Sequence, residues 1–469
     1  NGKVSVAVTG EQTGLIQSAA DLGLLPIGWE FAGLDSIRMG LEAEKGDDTL
    51  FTGELVFQDL AFQNQDSSSM GEKVSLGVKI DGKLDPAGLI IAADTAINLD
   101  QGEVLYDRFY FNLKENPFFC SSKWSYNLRG RHLQLSNLRL GLEDILTLHI
   151  NGSILKRGPD WRFDLSSKIP RIPLKPLFSH FILEPFKTEK PFLSGLDVEG
   201  AVAADLKFTG TGAKWTAKGF FRWYKGALLS ADHGMSLKGI DLSLPLWYRN
   251  RMGKNPLERL KGVLSIRSMN LSLLPEQGLD LSLNAGPNLL AIPSPTLLKV
   301  PGGKIRVGPV AIKGLTWTSP SVNTSLTIDS VKIAPLLAGV WNRAVRGTIN
   351  GKLDPIDFIK GNLKTAGEIR AKVFDGDVIF SDLGASGLFA GTPVFKVNAR
   401  WKNLSFSELT AGTSFGRIEG VLNGYAKNLE IAHGQPQKFD LLLETVERDG
   451  TPQRISVKAV DNIAQIGGG

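Results

Sequence analysis

The chain has a single cysteine, Cys120, in 469 residues. One thiol excludes an intrachain disulfide, and it therefore excludes both a disulfide-stabilised secreted scaffold and a zinc site built from cysteines. Because Cys120 directly follows Phe118 and Phe119, we interpret it as a small, buried apolar residue.

Long apolar runs are also missing. No stretch of about 20 apolar residues occurs, so the sequence does not predict a membrane-spanning helix. The sequence begins at Asn1 without a signal-peptide pattern. We therefore expect this chain to be an internal piece of a longer protein, with any membrane anchor or targeting signal outside it.

Residue patterns typical of catalysis, metal binding or nucleic-acid binding are scarce. The five histidines are scattered without ligand spacing, and no phosphate-binding loop or dinucleotide motif is present. The 53 basic and 48 acidic residues give a net charge of +5, and this charge is dispersed without a basic block. We therefore predict a protein that is not an enzyme, with no metal, cofactor or nucleic acid.

One string does match a catalytic motif. Residues 412–416 read Gly-Thr-Ser-Phe-Gly, the pattern of a nucleophile elbow. That elbow needs a strand before the serine and a helix after it, whereas here a short helical pattern precedes Ser414 and a strand pattern follows it. The reversed context argues against a hydrolase.

What the sequence does contain is a two-residue alternation of apolar and polar side chains. The clearest example spans residues 196–208, with these apolar positions of one parity: Leu196, Val198, Val202, Ala204, Leu206 and Phe208. The same alternation occurs at Leu146, Leu148 and Ile150 and at Phe395 and Val397. Such segments predict antiparallel strands with one apolar face, and the glycine and aspartate residues between them predict consecutive hairpins.

Helical periodicity is confined to short segments, at residues 13–24, 173–181, 331–340 and 406–410. We interpret these as caps or plugs rather than crossovers of a parallel sheet. Residues 286–303 contain four prolines and are predicted to form a loop. This loop would separate an N-terminal part, 1–285, from a C-terminal part, 304–469, within one continuous structure.

The strand patterns predict on the order of 35 strands, far more than the roughly ten that a flat open sheet tolerates. Three architectures remain: stacked sandwiches, closed barrels, or a sheet curled into a trough. An open apolar trough costs about 25 cal/mol for each Å² that it exposes to water, so it needs an apolar occupant such as an acyl chain.

Motifs in the C-terminal third resemble those of a known superfamily. These motifs lie at residues 374–380, 404–410 and 415–424, and they continue through 433–440 and 453–459. In this order they resemble the C-terminal part of AsmA-like proteins, and within that superfamily the YdbH branch, which is related to TamB and YhdP. The resemblance is clearest over about residues 330–466, and elsewhere it extends only to the style of the strands.

The resemblance implies a mainly β fold: an elongated, strongly curved antiparallel sheet that forms a groove of the β-taco type, with a few short helices. It implies a Gram-negative cell-envelope protein of the periplasm, held in the inner membrane by an N-terminal helix outside this chain. Its function would be non-enzymatic transfer of phospholipids to the outer membrane, and thus outer-membrane biogenesis. The implied partners are phospholipid acyl chains and proteins of the two membranes.

On this hypothesis the apolar positions of the alternating strands line the groove. The runner-up is a structural or assembly protein of the envelope, built from stacked β-sandwiches that bind other proteins. A carbohydrate-binding protein would need aromatic platforms, but Trp124, Trp161, Trp215 and Trp223 form no evident row. An outer-membrane barrel is disfavoured because the outward positions carry many charges.

Overall fold

The computed structural model describes residues 4–11, 14, 28–43, 48–232, 234–251, 258–271, 274–314, 320–337, 345–388, 392–410, 416–450 and 452–466. Strands make up 73% of the structure. The chain forms two compact units, Asn1–Pro256 and Leu257–Gly469.

The first unit consists of long strands in chain order. Its strands are β1 (Val4–Glu11), β2 (Trp29–Ala43), β3 (Thr49–Asn64), β4 (Ser69–Leu84), β5 (Ile90–Tyr106), β6 (Phe109–Asn112), β7 (Phe118–Asn127), β8 (His132–Leu142), β9 (Leu146–Arg157), β10 (Asp160–Pro173), β11 (Leu196–Thr211), β12 (Trp215–Ser230) and β13 (Met235–Arg249). Between β10 and β11 lie α1 (Leu174–Phe178), a π-helix (Ser179–Leu183), α2 (Glu184–Phe186) and a 3₁₀ helix (Pro191–Gly195).

In its described residues, the second unit has shorter strands and three helices. Its strands are β14 (Leu260–Leu271), β15 (Leu274–Gly286), β16 (Leu289–Ile292), β17 (Thr296–Val300), β18 (Gly303–Val307), β19 (Val310–Lys313), β20 (Ser321–Lys332), β21 (Gly347–Ile359), β22 (Asn362–Val373), β23 (Gly376–Ser386), β24 (Val394–Ser405), β25 (Ile418–Glu419), β26 (Val421–Ala432), β27 (Gln435–Val446) and β28 (Arg454–Ile455). Its helices are α3 (Ala334–Leu337), α4 (Phe406–Thr410) and α5 (Val457–Ile466).

Sheet pairing follows chain order in both units. In the first unit each long strand from β1 to β13 pairs antiparallel with the next, and β6 pairs only with the end of β5. In the second unit the same meander runs from β20 to β27, while short strands β16 to β19 join β15 to β20. The sheet is open and has few helices, which confirms the predicted fold class and is consistent with a curved β-groove.

β-Bulges interrupt the ladders on both sides of β11, but they do not disturb the side-chain alternation of β11 itself. The extra residue of one bulge lies between residues 169 and 172 of β10, and that of another lies between 224 and 227 of β12. A bulge breaks the alternation only in the strand that contains the extra residue. The even-numbered residues of β11 therefore share one face over the whole strand.

In the first unit a buried apolar cluster and the helical segment lie at the same end of the strands. Leu60, Val74 and Leu113 form the buried cluster. Phe181 of the π-helix contacts Phe111 of β6, with ring centroids 6.3 Å apart. The helical segment between β10 and β11 therefore covers the strand ends beside β6, and we call this side of the first unit its helical end.

In the second unit, short helices also pack against strand ends. One buried cluster comprises Ile333, Val345, Ala371 and Val373, and another comprises Leu404, Phe406, Ile418, Leu422 and Ala459. Ala459 of α5 is fully buried. Among the described residues, no helix has both the length and the apolar character needed to cross a bilayer.

Several sequence expectations differ from the structure in detail. The described residues contain 28 strands, fewer than expected, because individual strands reach 17 residues. Residues 286–303 are not one loop and lie inside the second unit, because the prolines flank β16 and β17 rather than interrupt them. Of the predicted helices, 406–410 is helical, and 173–181 is helical from Leu174 onward. Within 331–340, Ala334–Leu337 is helical and residues 338–340 lie outside the described residues. The segment 13–24 lies outside the described residues, apart from Gly14.

Candidate functional site: the apolar sheet faces

The strand register of the first unit aligns apolar side chains into rows that run across the strands. Residues directly opposite each other on neighbouring strands share a face of the sheet. A row that we call the central row contains Ile37, Leu55, Val78, Ile97, Cys120, Leu140 and Leu148. Every position of this row is nonpolar, and it includes the predicted lining residue Leu148.

Two further rows lie on the same face. The row nearer the helical end contains Phe57, Leu76, Leu99, Phe118, Leu142 and the predicted Leu146. The row nearer the opposite end, which we call the turn-end row, contains Val6, Leu41, Phe51, Gly82, Ala93, Trp124, Leu135, Gly152, Leu165, the predicted Phe208, Ala217 and Tyr248. The apolar face thus extends over nearly all strands of the first unit.

The other predicted residues of the first unit also lie on this face. Ser167 of β10 lies opposite both Ile150 and Leu206, so this connecting row is partly polar. On β11, Ala204 lies opposite Phe221, and Val202 lies opposite Trp223. Val198 and Leu196 follow on the same strand, opposite Leu228 and Ser230. The side chains that the sequence alternation grouped together therefore lie on a common face of the sheet.

Much of this face is not covered. Val198 and Val202 are buried, at 4% and 2% exposure, whereas Leu206 and Phe208 are only half-buried. On the same face, Met39 is 51% exposed and Leu41 is 45% exposed.

The opposite face of the first unit is charged. Glu54 accepts contacts from Arg38 at 3.4 Å and from Lys79 at 3.1 Å, and Lys207 lies 3.1 Å from Asp164. All of these pairs lie near solvent, where each contributes about 0–1 kcal/mol. The sheet is therefore amphipathic, with a hydrated face and an apolar face.

The second unit repeats this arrangement. One row contains Leu260, Ala285, Leu290, Ile312, Val322, Phe358, Leu363, Ala385, the predicted Phe395, Ile431 and Pro436. Another contains Leu298, Ile305, Ile328, Gly351, Ile369, Phe380, Ala399, Ala426 and Leu441. Phe395 is 50% exposed and Leu441 is 44% exposed, while the predicted Val397 is half-buried opposite Leu429.

Sequence reasoning missed several aromatic residues of the apolar faces. Phe221 and Trp223 point to the apolar side of β12, whereas Arg222 between them pairs with Asp205 on the charged side. Trp124 lies in the turn-end row, and its Nε1 donates a hydrogen bond to Thr95 Oγ1 at 3.0 Å. The sequence did contain a signal for Phe221 and Trp223. They are separated by a single charged residue, so the alternation of a strand places both on the same face.

Cys120 is half-buried within the central row rather than fully buried. Burial raises the pKa of its thiol above the usual range. It is an apolar wall residue, because a neutral thiol behaves as a small hydrophobic group.

Polar sites are separate from the rows. A cavity of ≈ 930 Å³ at the strand ends of the second unit is lined in part by Lys372, Asp377, Lys402 and Glu408. Within the described residues, no three His, Cys, Asp or Glu side chains are placed to hold a metal ion. Ser414 lies outside the described part of the chain. No family model, curated protein or solved structure matches this chain.

Proposed function

We propose that the two apolar faces solvate the acyl chains of phospholipids and that the protein transfers these lipids without chemical conversion. One observation carries this proposal: in each unit, apolar rows run unbroken across many strands while their side chains stay partly exposed. Exposed apolar surface costs about 25 cal/mol per Å², and a bound acyl chain gains about 0.8 kcal/mol per buried methylene. An occupant of this chemistry therefore stabilises the sheet that holds it.

The geometry of the central row favours movement along the sheet. From Ile37 to Leu148 the row crosses β2, β3, β4, β5, β7, β8 and β9, which corresponds to about 29 Å at the usual strand spacing. No polar side chain interrupts it. An acyl chain that shifts from one strand to the next therefore exchanges equivalent contacts, and no step along the row requires a polar group to be desolvated.

The cellular setting in this proposal is the periplasm of a Gram-negative bacterium, with phospholipid passing between the inner and outer membranes. The ordered motifs within residues 330–466 support membership of the AsmA-like superfamily. The open antiparallel sheet with short capping helices is the architecture that this membership implies. Anchoring in the inner membrane belongs to the same proposal.

Lipid analysis of the purified chain tests the proposal. Protein isolated from bacterial membranes and periplasm without detergent is extracted with organic solvent, and phospholipid is quantified by mass spectrometry against protein. We expect more than one phospholipid per chain, and fluorescent phospholipid should pass between vesicles faster when the protein is added.

Two results would contradict lipid transfer. Absence of stoichiometric lipid, combined with no acceleration of vesicle exchange, would overturn it. If a protein partner instead co-purified on the apolar faces, an assembly role in the envelope would replace it.

A further inference from the structure

At the turn end of the first unit, the apolar face finishes in a cationic rung. Lys156 and Trp161 lie opposite each other, each two residues beyond an apolar residue of this face, Ile154 and Phe163 respectively. Two residues is one side-chain repeat of a strand, so both side chains stay on the apolar face. Arg131 lies in the turn that directly precedes β8, with a φ of +47°, and its carbonyl accepts a hydrogen bond from the Lys156 backbone N–H at 3.0 Å.

The side chains of this rung are amphipathic. The Lys156 ammonium lies 5.3 Å from the centre of the Trp161 ring, within the range of a cation–π contact. Trp161 is 44% exposed, and so is Leu128 in the adjacent turn. Exposed aromatic and aliphatic groups beside cations are typical of a boundary between hydrocarbon and polar head groups.

The three turns around this rung carry more positive than negative charge. The turns at 127–132, 156–162 and 211–215 carry several exposed cations and a single carboxylate, that of Asp160. Among the described residues, no carboxylate forms an ion pair with Arg131 or Lys156.

The helical end of the same unit is different. There Arg108 contacts the carboxylates of Asp107 and Glu189, at 3.3 and 3.2 Å, and Lys187 contacts Glu184 at 2.6 Å. Arg108 and Lys187 at the helical end thus have carboxylate partners within the chain, whereas Arg131 and Lys156 at the turn end form no such pair within the described part of the chain.

We propose that Arg131 and Lys156, with Trp161 beside them, hold the phosphate group of a lipid whose acyl chains lie on the adjacent apolar rows. This inference rests on the proposed lipid transfer and adds a head-group site to it. A guanidinium and an ammonium are the usual protein ligands of phosphate. Because the rung directly continues the apolar rows, one molecule with a phosphate at the end of its hydrocarbon can contact both.

The test compares two lipids with identical acyl chains, phosphatidylglycerol and diacylglycerol, loaded in competition onto the full chain and quantified by mass spectrometry. Wild-type protein should prefer phosphatidylglycerol by roughly tenfold, the effect of about one charge-assisted hydrogen bond. Arg131→Gln with Lys156→Gln should abolish this preference and leave diacylglycerol loading unchanged.

The control variant is Arg139→Gln with Lys168→Gln, which removes the same two charges from exposed mid-strand positions on the charged face. It should keep the wild-type preference. An equal loss of preference in both variants would mean that net charge, and not this rung, selects the lipid, and it would overturn the inference.

Other outcomes separate this inference from the function on which it rests. If wild-type protein loads both lipids without preference, the head-group site is wrong and lipid transfer stands. If it loads neither, lipid transfer fails and the site fails with it. A free-phosphate site would give a third pattern. Inorganic phosphate would bind the lipid-free protein, and this binding would be lost in the Arg131→Gln, Lys156→Gln variant. Excess phosphate would leave the lipid preference unchanged.

Discussion

Cys120 lies directly opposite Ile97 across β5 and β7, so the only thiol in the sequence forms part of an apolar row. Burial raises the pKa of this thiol, and less reactive thiolate is therefore present at neutral pH than for a free cysteine. The residue is nevertheless half-buried rather than enclosed. It can therefore report on whatever covers the apolar face.

Lipid loading should protect Cys120 from maleimide labelling. If lipid covers the central row about nine-tenths of the time, the labelling rate should fall about tenfold, in proportion to the uncovered fraction. Stopped labelling followed by intact-protein mass spectrometry measures this rate with and without phosphatidylglycerol. In the control variant Cys120→Ser with Arg139→Cys, the thiol lies on the charged face and should label equally in both conditions. Equal protection of the two thiols would contradict a lipid on the central row.

Leu206 and Val202 on β11 should respond differently to charge. Leu206 is half-buried opposite Gly219, so Leu206→Arg should reduce lipid loading while the free energy of unfolding changes by less than about 1 kcal/mol. Val202 is 2% exposed, so Val202→Asp should destabilise the first unit by about 3 kcal/mol or more, because a buried carboxylate lacks a partner. Urea denaturation and lipid quantification separate the two effects.

Thr209→Arg is the matched control for Leu206→Arg, because Thr209 lies on the charged face opposite Asp164. It should retain wild-type lipid loading. If Thr209→Arg and Leu206→Arg lowered loading equally, the two faces would not differ in lipid contact.

The assignment of Leu206 and Phe208 to one face was predictable from the sequence, because β11 contains no extra residue and its alternation is unbroken. The rows themselves were not predictable. Which residue of β10 lies opposite Leu206 depends on turn lengths and on a bulge between residues 169 and 172. Alternation in the sequence shows which face of the sheet a side chain occupies. The residue opposite it on the next strand depends on turn lengths and bulges, which the alternation does not reveal.

The sequence also did not predict how exposed the apolar side chains are or where the strands near the prolines begin and end. Cys120 beside two phenylalanines resembles a core residue, but core and open groove have the same apolar alternation. The prolines near residue 293 were interpreted as a loop signal, yet they lie between β16 and β17, where no ladder hydrogen bond is lost.

Gly200 of β11 lies opposite the bulge of β12, and we expect the close approach of the two backbones there to require a glycine. Its φ is +103°, and an added Cβ would lie 2.7 Å from the carbonyl oxygen of Tyr224. Gly200→Ala should therefore destabilise the first unit by about 1–3 kcal/mol. Gly77→Ala in β4 is the control, because an added Cβ there meets nothing within 4 Å. Similar midpoints of urea unfolding for the two variants would show that the backbone at Gly200 is not constrained.

Thr410 should fix the cap formed by α4 in the second unit. Its hydroxyl donates to the Phe406 carbonyl at 2.7 Å and accepts from the Ile418 backbone N–H at 3.2 Å. Because Ile418 is 8% exposed, Thr410→Val leaves a buried N–H without this acceptor and should cost about 1–3 kcal/mol. Thr410→Ser keeps the hydroxyl and should restore most of that loss in urea unfolding. Equal destabilisation by the two variants would show that the hydroxyl group does not account for the effect and would refute the hydrogen-bond role.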